Sequence, residues 1–428
     1  MKRLYSILLA ILLCIIFVAC SSSYVTPISY GAVADGCIDC TIPIRNMLSD
    51  MKSRNIYKAL FKSGQYLITD SIVIDFPCAL VGRNATIVTK DTLRNRYAFV
   101  YSKSKRGKFS PNMRTTELCL NFKVHGVPVA IYGYNDIYMH DCTISTFTGT
   151  DLYYKNTKFW FAVDCDRMYD ATFKRIHFDQ PVNYKKNQFN SADGLHITGQ
   201  CHDILIDGCD GHTGDDFIAL NANEDTPGDI YNVTIRNCNI GSGTISKNGI
   251  RIYGMSKKQH LKISNVLIEN CRINSSNSPS VYLTNNANTS FSKDHYNIRL
   301  DSITIRNCEF SCPEFELATN QHPSAIRFAG VDGKNILIEN VRATANADSL
   351  SYFINVFEQN NIENLTIRNC NFTGEKALRF IKIGRDNKSK TTVKNLVINK
   401  CDFNQSDSGF MESHIKVENY NLDGGFVK

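Results

Sequence analysis

The chain has 428 residues, of which 43% are hydrophobic and 21% charged, and its formal net charge at pH 7 is +7. The basic residues are spread along the chain and form no basic block, which argues against a nucleic-acid-binding protein. The length is large for an average domain but suits a solenoid, in which each coil contacts only its neighbours.

The N-terminal residues predict a targeting segment. Lys2 and Arg3 precede a leucine- and isoleucine-rich run that is short for a membrane span and ends in Val18-Ala19. Cys20 follows directly, so the segment resembles a bacterial lipoprotein signal. This resemblance implies a signal peptide at 1–20 and a lipid on Cys20, whereas an ordinary secretory signal is the alternative.

With this segment set apart, the rest of the chain can be divided and the location of the protein predicted. Residues 21–28 would form a tether, and a β-rich domain would occupy 29–428 with an N-terminal cap over about 29–70. The protein would belong to the bacterial cell envelope, where the lipid on Cys20 would anchor it to the outer membrane, on either the periplasmic or the surface face. We expect a monomer.

The cap region combines one helix signal with one strand signal. Thr41 is a plausible N-cap, and 59–68 reads as strand–turn–strand. An amphipathic helix here would cover the open end of a sheet. Cys37 and Cys40 form an isolated C-x-x-C pair, for which a local disulfide is more plausible than a metal site. Apolar residues follow Thr41 at helical spacing: Ile42, Ile44, Met47, Leu48 and Met51.

A short sequence motif recurs along the chain at intervals of 29 to 37 residues, which predicts a stacked array. Each copy alternates apolar and polar residues, as a strand does, and ends in Asn-Cys or a close variant. The position before the cysteine holds Asn, Gly or Asp, which tolerate left-handed backbone, so we expect a bend there. The clearest copies end at Cys238, Cys271, Cys308, Cys370 and Cys401, with looser copies ending at Cys142 and Cys209.

These features together predict an all-β fold, a single right-handed parallel β-helix with a short N-terminal capping helix. The recurring cysteines would form a buried column of small side chains. A metal or redox ladder is the alternative, but Val341 and Ile176 occupy the same slot and neither binds a metal.

One group of coils differs from the rest. The segments are Ser191–Ile197, Thr213–Asn221 and Lys247–Gly254. Aligning their apolar pairs as inward-facing predicts two columns of polar residues. The first column holds Asp193, Asp216 and Asn248, with Asp215 beside it, and the second holds His196, Ala219, Arg251, Tyr282 and Arg327.

Three carboxylates on adjacent coils are suited to breaking a glycosidic bond. One carboxylic acid protonates the leaving oxygen, and a carboxylate activates water or attacks directly. Crowding of like charges raises the pKa of at least one of them. Aspartates at coil edges also form turns or bind calcium, so both of these uses remain as alternatives.

The spacing of Ser-Ala-Asp193 and Gly-Asp215-Asp216 resembles glycoside hydrolase family 28, the polygalacturonases, and the pectin-lyase-like fold. That family's pattern is Asn-Thr-Asp, Gly-Asp-Asp, Gly-His-Gly and Arg-Ile-Lys. The resemblance implies that Asp215 is the general acid. It also implies that Asp193 and Asp216 hold and deprotonate the attacking water, with inversion and without a metal or other cofactor.

Two family motifs are altered. Asn248 stands at the Gly-His-Gly position, and Tyr282 lies in the stretch that replaces Arg-Ile-Lys. Arg251 and Arg327 are candidate substitutes for the missing cations, and His196 would orient a carboxylate or bind a sugar hydroxyl. We therefore assign substrate binding to His196, Asn248, Arg251, Tyr282 and Arg327.

The resulting hypothesis is an extracytoplasmic glycoside hydrolase that acts on a polysaccharide or oligosaccharide. Two alternatives remain open. A polysaccharide lyase would need calcium and a base such as Arg251, and a carbohydrate-binding or structural lipoprotein would need no catalysis. Fold alone does not separate these functions.

Overall fold

The computed structural model describes the backbone and side chains of most of the chain from residue 24 onward. For seven further strands it describes the backbone alone, at 122–125, 130–132, 137–139, 144–150, 153–155, 182–183 and 188–189. The predicted signal segment, Cys20 and Cys142 lie outside the described residues. The ranges described in full are 24–76, 78–82, 84–88, 98–100, 161–179, 193–222, 227–241, 248–254, 261–276, 278–285, 299–312, 323–345, 350–357, 359–375, 378–403, 410–414 and 417–421, and the backbone alone is described at 89, 101, 298 and 422–423.

The chain winds into a parallel β-helix, as predicted. Successive coils contribute strands to three long sheets, which we call A, B and C in the order in which a coil visits them. All strand pairs in these sheets are parallel, because each strand hydrogen-bonds to its counterpart one coil away. Within the described residues sheet A has 12 strands, sheet B has 11 and sheet C has 13.

Sheet A contains Ile72–Ile74, Phe99–Tyr101, Ile137–Met139, Phe161–Cys165, Asp193–Ile197, Ile218–Asn221, Ile250–Tyr253, Val281–Thr284, Ser324–Ala329, Ser351–Val356, Leu378–Ile383 and Met411–Ser413. Sheet B contains Phe122–His125, Ile144–Thr150, Met168–Lys174, His202–Asp207, Ile230–Arg236, Leu261–Glu269, Ile298–Arg306, Asp332–Glu339, Asn361–Arg368, Thr392–Asn399 and Asn419–Asp423. Sheet C contains Asp35–Asp39, Gly64–Ile68, Ala85–Thr89, Ala130–Tyr132, Tyr153–Lys155, His177–Asp179, Asp210–His212, Asn239–Ile240, Arg272–Asn274, Glu309–Cys312, Arg342–Ala345, Asn371–Gly374 and Asp402–Phe403. Two small sheets pair Lys58–Phe61 with Ala79–Gly82 and Val182–Asn183 with Gln188–Phe189.

The core is a set of aligned apolar columns. Because side chains alternate across a strand, every second residue of sheet B points inward. The isoleucines of the recurring sequence motif are paired with one another from coil to coil and are at most 1% exposed. This column consists of Ile235, Ile268, Ile305, Ile338, Ile367 and Ile398.

The bend before each cysteine is also confirmed. Asn237, Asn270, Asn307 and Asn369 all have φ between 52° and 55°, in the left-handed region. Lys400 adopts the same conformation with φ 49°. The bend separates a strand of sheet B from the next strand of sheet C, so one backbone conformation sets the corner in each coil.

The cysteines after these bends form the buried column that was predicted. Cys271 is 2% exposed, and its thiol lies 3.3 Å from the backbone oxygen of Glu269, to which it donates. Val341 fills the same slot and is fully buried. A hydrogen bond with the Cys238 thiol, together with burial, raises the pKa of the Cys271 thiol and keeps it protonated. All of the cysteines within the described residues are free thiols, including the exposed Cys37 and the buried Cys40.

Replacing Cys271 by Val is expected to lower the free energy of unfolding by only about 1 kcal/mol, because volume is kept and only a weak S–H donor is lost. Guanidinium unfolding measures this difference. The reverse change, Val341→Cys, is the matched control and should be near neutral. A loss above about 3 kcal/mol for Cys271→Val would show that the column does more than fill space.

A short helix precedes the first coils. It spans Thr41–Ser53, and Ile44, Met47, Leu48 and Met51 are buried beneath it. Two details differ from the prediction. Cys40 rather than Thr41 occupies the N-cap position, with Asp39 accepting from the Thr41 N–H at 2.9 Å, and Ile42 is 58% exposed.

The ordered structure reaches into the segment predicted as a tether. Val25 pairs with Ala59, and Pro27–Tyr30 forms a 3-10 helix. The strand–turn–strand prediction for 59–68 is confirmed by Lys58–Phe61 and Gly64–Ile68. Within the described part of the chain, none of the helices has the length and hydrophobicity that crossing a membrane requires.

Candidate active site

The site lies on sheet A, and its register is the one inferred from the apolar pairs. Leu195 pairs with Ile218, and Ile218 pairs with Ile250. The same ladder places His196 beside Ala219 and Ala219 beside Arg251. The column continues through Tyr282 and Arg327.

Three carboxylates converge where two of these strands begin. One oxygen each from Asp193, Asp215 and Asp216 lies within 4.8 Å of the others. The backbone N–H of Asp216 donates to Oδ1 of Asp193 at 3.1 Å, which ties the two coils together. Asp193 and Asp216 are buried, whereas Asp215 is only half-buried and is the carboxylate most accessible from outside.

Close approach between coils explains the glycine that follows Asp193. A Cβ atom on Gly194 would lie 2.5 Å from the backbone oxygen of Phe217 on the next coil. The backbone N–H of Gly194 donates to the carbonyl of Asp216 at 2.9 Å. The Asp-Gly pair therefore lets two acidic coils stack without a gap.

Asn248 joins the two carboxylates of the Gly-Asp-Asp segment. Its Nδ2 donates to Oδ1 of Asp215 at 2.7 Å and to Oδ1 of Asp216 at 2.8 Å. Asn248 is 8% exposed. It was predicted to bind substrate, and the contacts it makes here instead fix the spacing of two carboxylates.

Burial and crowding change the acidity of the cluster. Loss of water around Asp216, together with the neighbouring carboxylates, raises its pKa to about 7, and Arg251 and Asn248 only partly offset this. Burial also raises the pKa of Asp193, against the opposing effect of His196. The cluster therefore retains a proton near neutrality.

His196 is bound tightly beneath the cluster. Its Nδ1 lies 2.7 Å from Oδ2 of Asp193, and its ring stacks on Phe161 with centroids 3.8 Å apart. Asp164 is the next residue down the same column, and both it and His196 are fully buried. Of the two roles considered for His196, burial favours orienting Asp193 over binding a sugar hydroxyl.

Arg251 brings a positive charge to the same group. One of its terminal nitrogens, Nη1, lies 3.6 Å from Oδ2 of Asp216. Its guanidinium stands over the rings of Tyr253 and Tyr282, at 4.9 and 5.3 Å from their centroids. The neighbouring Asp216 raises the pKa of Arg251 although burial opposes it, so the guanidinium stays charged.

Tyr282 and Arg327 lie farther along the column. Tyr282 lies on the strand next to that of Arg251. The Arg251 guanidinium stands over the rings of both Tyr282 and Tyr253. Arg327 is fully buried and stands over the Phe357 ring at 5.8 Å. Its burial separates it from a bound sugar, so substrate binding by Arg327 is not supported by this geometry.

Two residues of the site were missed from the sequence. Tyr253 contacts Arg251, although it had appeared only as part of the Lys247–Gly254 segment. Phe161 stacks on the His196 ring and covers it.

Replacing His196 by Gln is expected to lower kcat about 10- to 100-fold by releasing Asp193 from its position. The pKa of Asp193 should also rise, because the histidine lowers it, so the acidic limb of the pH–rate profile should move to higher pH. His202→Gln is the matched control, since His202 makes a similar 2.7 Å contact with Asp203 on sheet B. Unchanged kinetics in His196→Gln would remove His196 from the site.

More than half of the chain matches the model of a known family. A model described as glycosyl hydrolases family 28 matches residues 134–383. No match was found among curated proteins.

Solved structures share the fold at low sequence identity. The tailspike protein of Escherichia coli bacteriophage HK620 is 10% identical, with a TM-score of 0.60 over 93% of this chain and 78% of the tailspike chain. A GH87 α-1,3-glucanase catalytic domain is 16% identical, with a TM-score of 0.57 over 91% and 68% of the two chains. A Yersinia enterocolitica family 28 exopolygalacturonase is 11% identical, with a TM-score of 0.54 over 95% and 79%.

Proposed function

The chain belongs to glycoside hydrolase family 28 and is a glycoside hydrolase, and we propose that it cleaves a polysaccharide or oligosaccharide by acid–base catalysis at Asp193, Asp215 and Asp216. The observation that carries the proposal is the convergence of these three carboxylates within 4.8 Å on adjacent coils. Carboxyl groups this close together can supply the acid and the base that glycoside hydrolysis requires.

The roles follow from access and from contacts. Asp215 is the half-buried member, so it is the one placed to reach a leaving oxygen and act as the general acid. Asp193 and Asp216 are joined through a backbone N–H at 3.1 Å and would hold the attacking water between them. His196 and Asn248 keep these carboxylates in position, and Arg251 and Tyr282 border the cluster on the next strands.

We propose that hydrolysis inverts the anomeric centre, as the family resemblance implies. The limit of 4.8 Å applies to distances between one oxygen atom of each carboxylate. Inverting and retaining enzymes differ instead in the separation of whole carboxyl groups, which is roughly 6.5–9.5 Å in inverting enzymes and roughly 5–5.5 Å in retaining ones. NMR of the first-formed product decides the point. A product anomer opposite to that of the substrate supports inversion, and the same anomer would assign Asp193 or Asp216 as a nucleophile.

The lyase alternative is weaker on this geometry. A lyase base must give up its proton, and the only candidate named for this role is Arg251. Asp216 lies 3.6 Å from that guanidinium and raises its pKa, which holds the proton in place. Products of a lyase would carry a double bond that absorbs in the ultraviolet, so product spectra separate the two reactions.

We also propose that the enzyme is held at the bacterial cell envelope through lipid on Cys20. The support is the order of charged, apolar and small residues before this cysteine. Metabolic labelling with a radioactive fatty acid tests it. Label that disappears in Cys20→Ser supports the anchor, and an unlabelled, freely released wild-type protein would favour an ordinary secretory signal.

A further inference from the structure

Exposed apolar side chains are concentrated at one end of the molecule. Six of the eight large hydrophobic residues that are exposed in the described part of the chain lie between residues 24 and 57. They belong to the cap and the first strands, while the described residues of the later coils include only two more, Tyr231 and Tyr420. These six are Tyr24, Ile28, Val33, Ile38, Ile42 and Tyr57, each between 41% and 58% exposed, and we call them the apolar cap surface.

Contacts and sequence proximity place five of these residues in two groups. Val25 pairs with Ala59, which brings Tyr24 alongside the strand that follows Tyr57. The thiol of Cys40 donates to the backbone oxygens of Val33 and Ile38 at 3.2 and 3.4 Å, so these residues and Ile42 surround one point.

Charged groups without an ion pair near the cap are of both signs. Lys58 and Lys62 are exposed and form no ion pair within the described residues, and the same holds for the exposed Asp35 and Asp39. The carboxylates Asp50, Asp70 and Asp75, by contrast, are paired with Arg54, Arg45 and Lys52. Tyrosine and lysine side by side are typical of protein surfaces at a membrane interface.

The chain itself limits how far this surface can be from the proposed lipid. Only three residues lie between Cys20 and Tyr24, and the four Cα-to-Cα steps from one to the other span at most about 14 Å when the chain is extended. Tyr24 is thereby restricted to the headgroup zone of the membrane that holds the lipid. An apolar patch confined there would be partly removed from water.

We propose that the apolar cap surface lies on the lipid bilayer that anchors Cys20, so that the β-helix stands with its cap toward the membrane. This inference rests on the proposed anchoring. The occupant is the bilayer because the surface begins at Tyr24, four positions after the anchor residue Cys20. The catalytic coil, four strand spacings along sheet A from Ile72–Ile74, would then be held about 20 Å beyond the cap.

Cys37 provides a native probe, because it is the one exposed cysteine in the described part of the chain and is adjacent to Ile38. The full lipidated chain would be reconstituted into phosphatidylethanolamine–phosphatidylglycerol vesicles that contain a nitroxide lipid, with a fluorophore on Cys37. The comparison is Lys388→Cys in a Cys37→Ser background, which places the fluorophore on an exposed residue near the other end. Cys37→Ser alone corrects for labelling elsewhere.

We expect quenching at Cys37 to be at least about twofold stronger than at position 388, and to fall in an Ile38→Asn/Ile42→Asn variant. Both replaced side chains are more than half exposed, so the variant should fold. Equal quenching at the two positions would overturn the proposal. Weak quenching with cap-to-cap cross-linking would also overturn it and assign the surface to a second copy of the chain.

Fatty-acid labelling of the same preparation separates this inference from the anchor on which it rests. Labelled protein without preferential quenching at Cys37 contradicts the membrane-facing cap and leaves the anchor intact. Unlabelled wild-type protein contradicts the anchor, and the cap proposal with it. Neither result bears on hydrolysis by Asp193, Asp215 and Asp216.

Discussion

Replacing Asp215 by Asn is expected to lower kcat on a natural polysaccharide by a factor of about 10² to 10⁴, the range that a general acid supplies. The amide keeps the shape of the carboxyl and can still hydrogen-bond to Asn248, so the fold should be unchanged. It has no acidic proton to give to the leaving oxygen. KM should therefore change much less than kcat.

The leaving group makes this prediction specific to an acid. An aryl glycoside with an acidic phenol needs little protonation, so its hydrolysis should be far less impaired by Asp215→Asn than that of the polysaccharide. Asp332→Asn is the control, because Asp332 is an exposed carboxylate on sheet B that pairs with Arg299. Equal loss on both substrates would mean that Asp215 is not the acid.

Replacing Asp216 by Asn is expected to change stability in a way that depends strongly on pH. Burial and neighbouring carboxylates raise the pKa of Asp216 from 3.8 to about 7 in the folded protein. A raised carboxyl pKa stabilises the fold fully below pH 4, and this stabilisation is lost as pH rises toward 7. Wild type should therefore lose up to about 4 kcal/mol relative to Asp216→Asn between pH 4 and pH 8.

The comparison with pH isolates this effect from other contacts. Arg251 stays charged throughout, and its attraction for the ionised Asp216 carboxylate is already part of the pKa of about 7, so it adds no separate trend with pH. Urea unfolding of both proteins at pH 4.5 and pH 8 gives the four free energies needed. Asp332→Asn should show no comparable change with pH, and a flat difference for Asp216→Asn would mean that Asp216 ionises like an exposed carboxyl.

Much of the fold could be predicted because the repeat constrains it in several ways at once. The repeat period predicted the length of a coil. The alternation of Ile235, Ile268 and Ile305 with polar residues predicted which side chains point inward. A slip of one residue would turn every such side chain outward, so the apolar pairs also fixed the register that brings Asp193 beside Asp216. The Asn-Cys bend follows from the few residues that tolerate positive φ.

Burial on the outer face of sheet A could not be predicted in the same way. Register shows that His196 and Arg327 point outward, but their exposure depends on neighbours such as Phe161 and Phe357 that come from other coils. The N-cap was predicted at Thr41 but lies one residue earlier, at Cys40. The Thr41 N–H donates to the side chain of Asp39, which lies before the cap residue. Side-chain contacts across coils have no fixed spacing in the sequence.

The altered family motifs have a structural counterpart. Asn248 stands where the family has Gly-His-Gly, and it bridges Asp215 and Asp216. Arg251 lies one coil earlier than the family's Arg-Ile-Lys and is engaged by Asp216 and two tyrosines. The carboxylates of the acid–base group are thus held together by Asn248. Arg251, the cation nearest to them, is engaged by Asp216 and the two tyrosines.

The most direct test of the account is the release of reducing sugar from a panel of plant and host polysaccharides by the wild-type protein, with and without a chelator. We predict release from at least one polymer that is unaffected by the chelator and produces no ultraviolet-absorbing double bond. Release that requires a divalent cation and yields unsaturated products would identify a lyase. Binding to a polymer without any release would contradict the assignment of Asp193, Asp215 and Asp216 as a catalytic group.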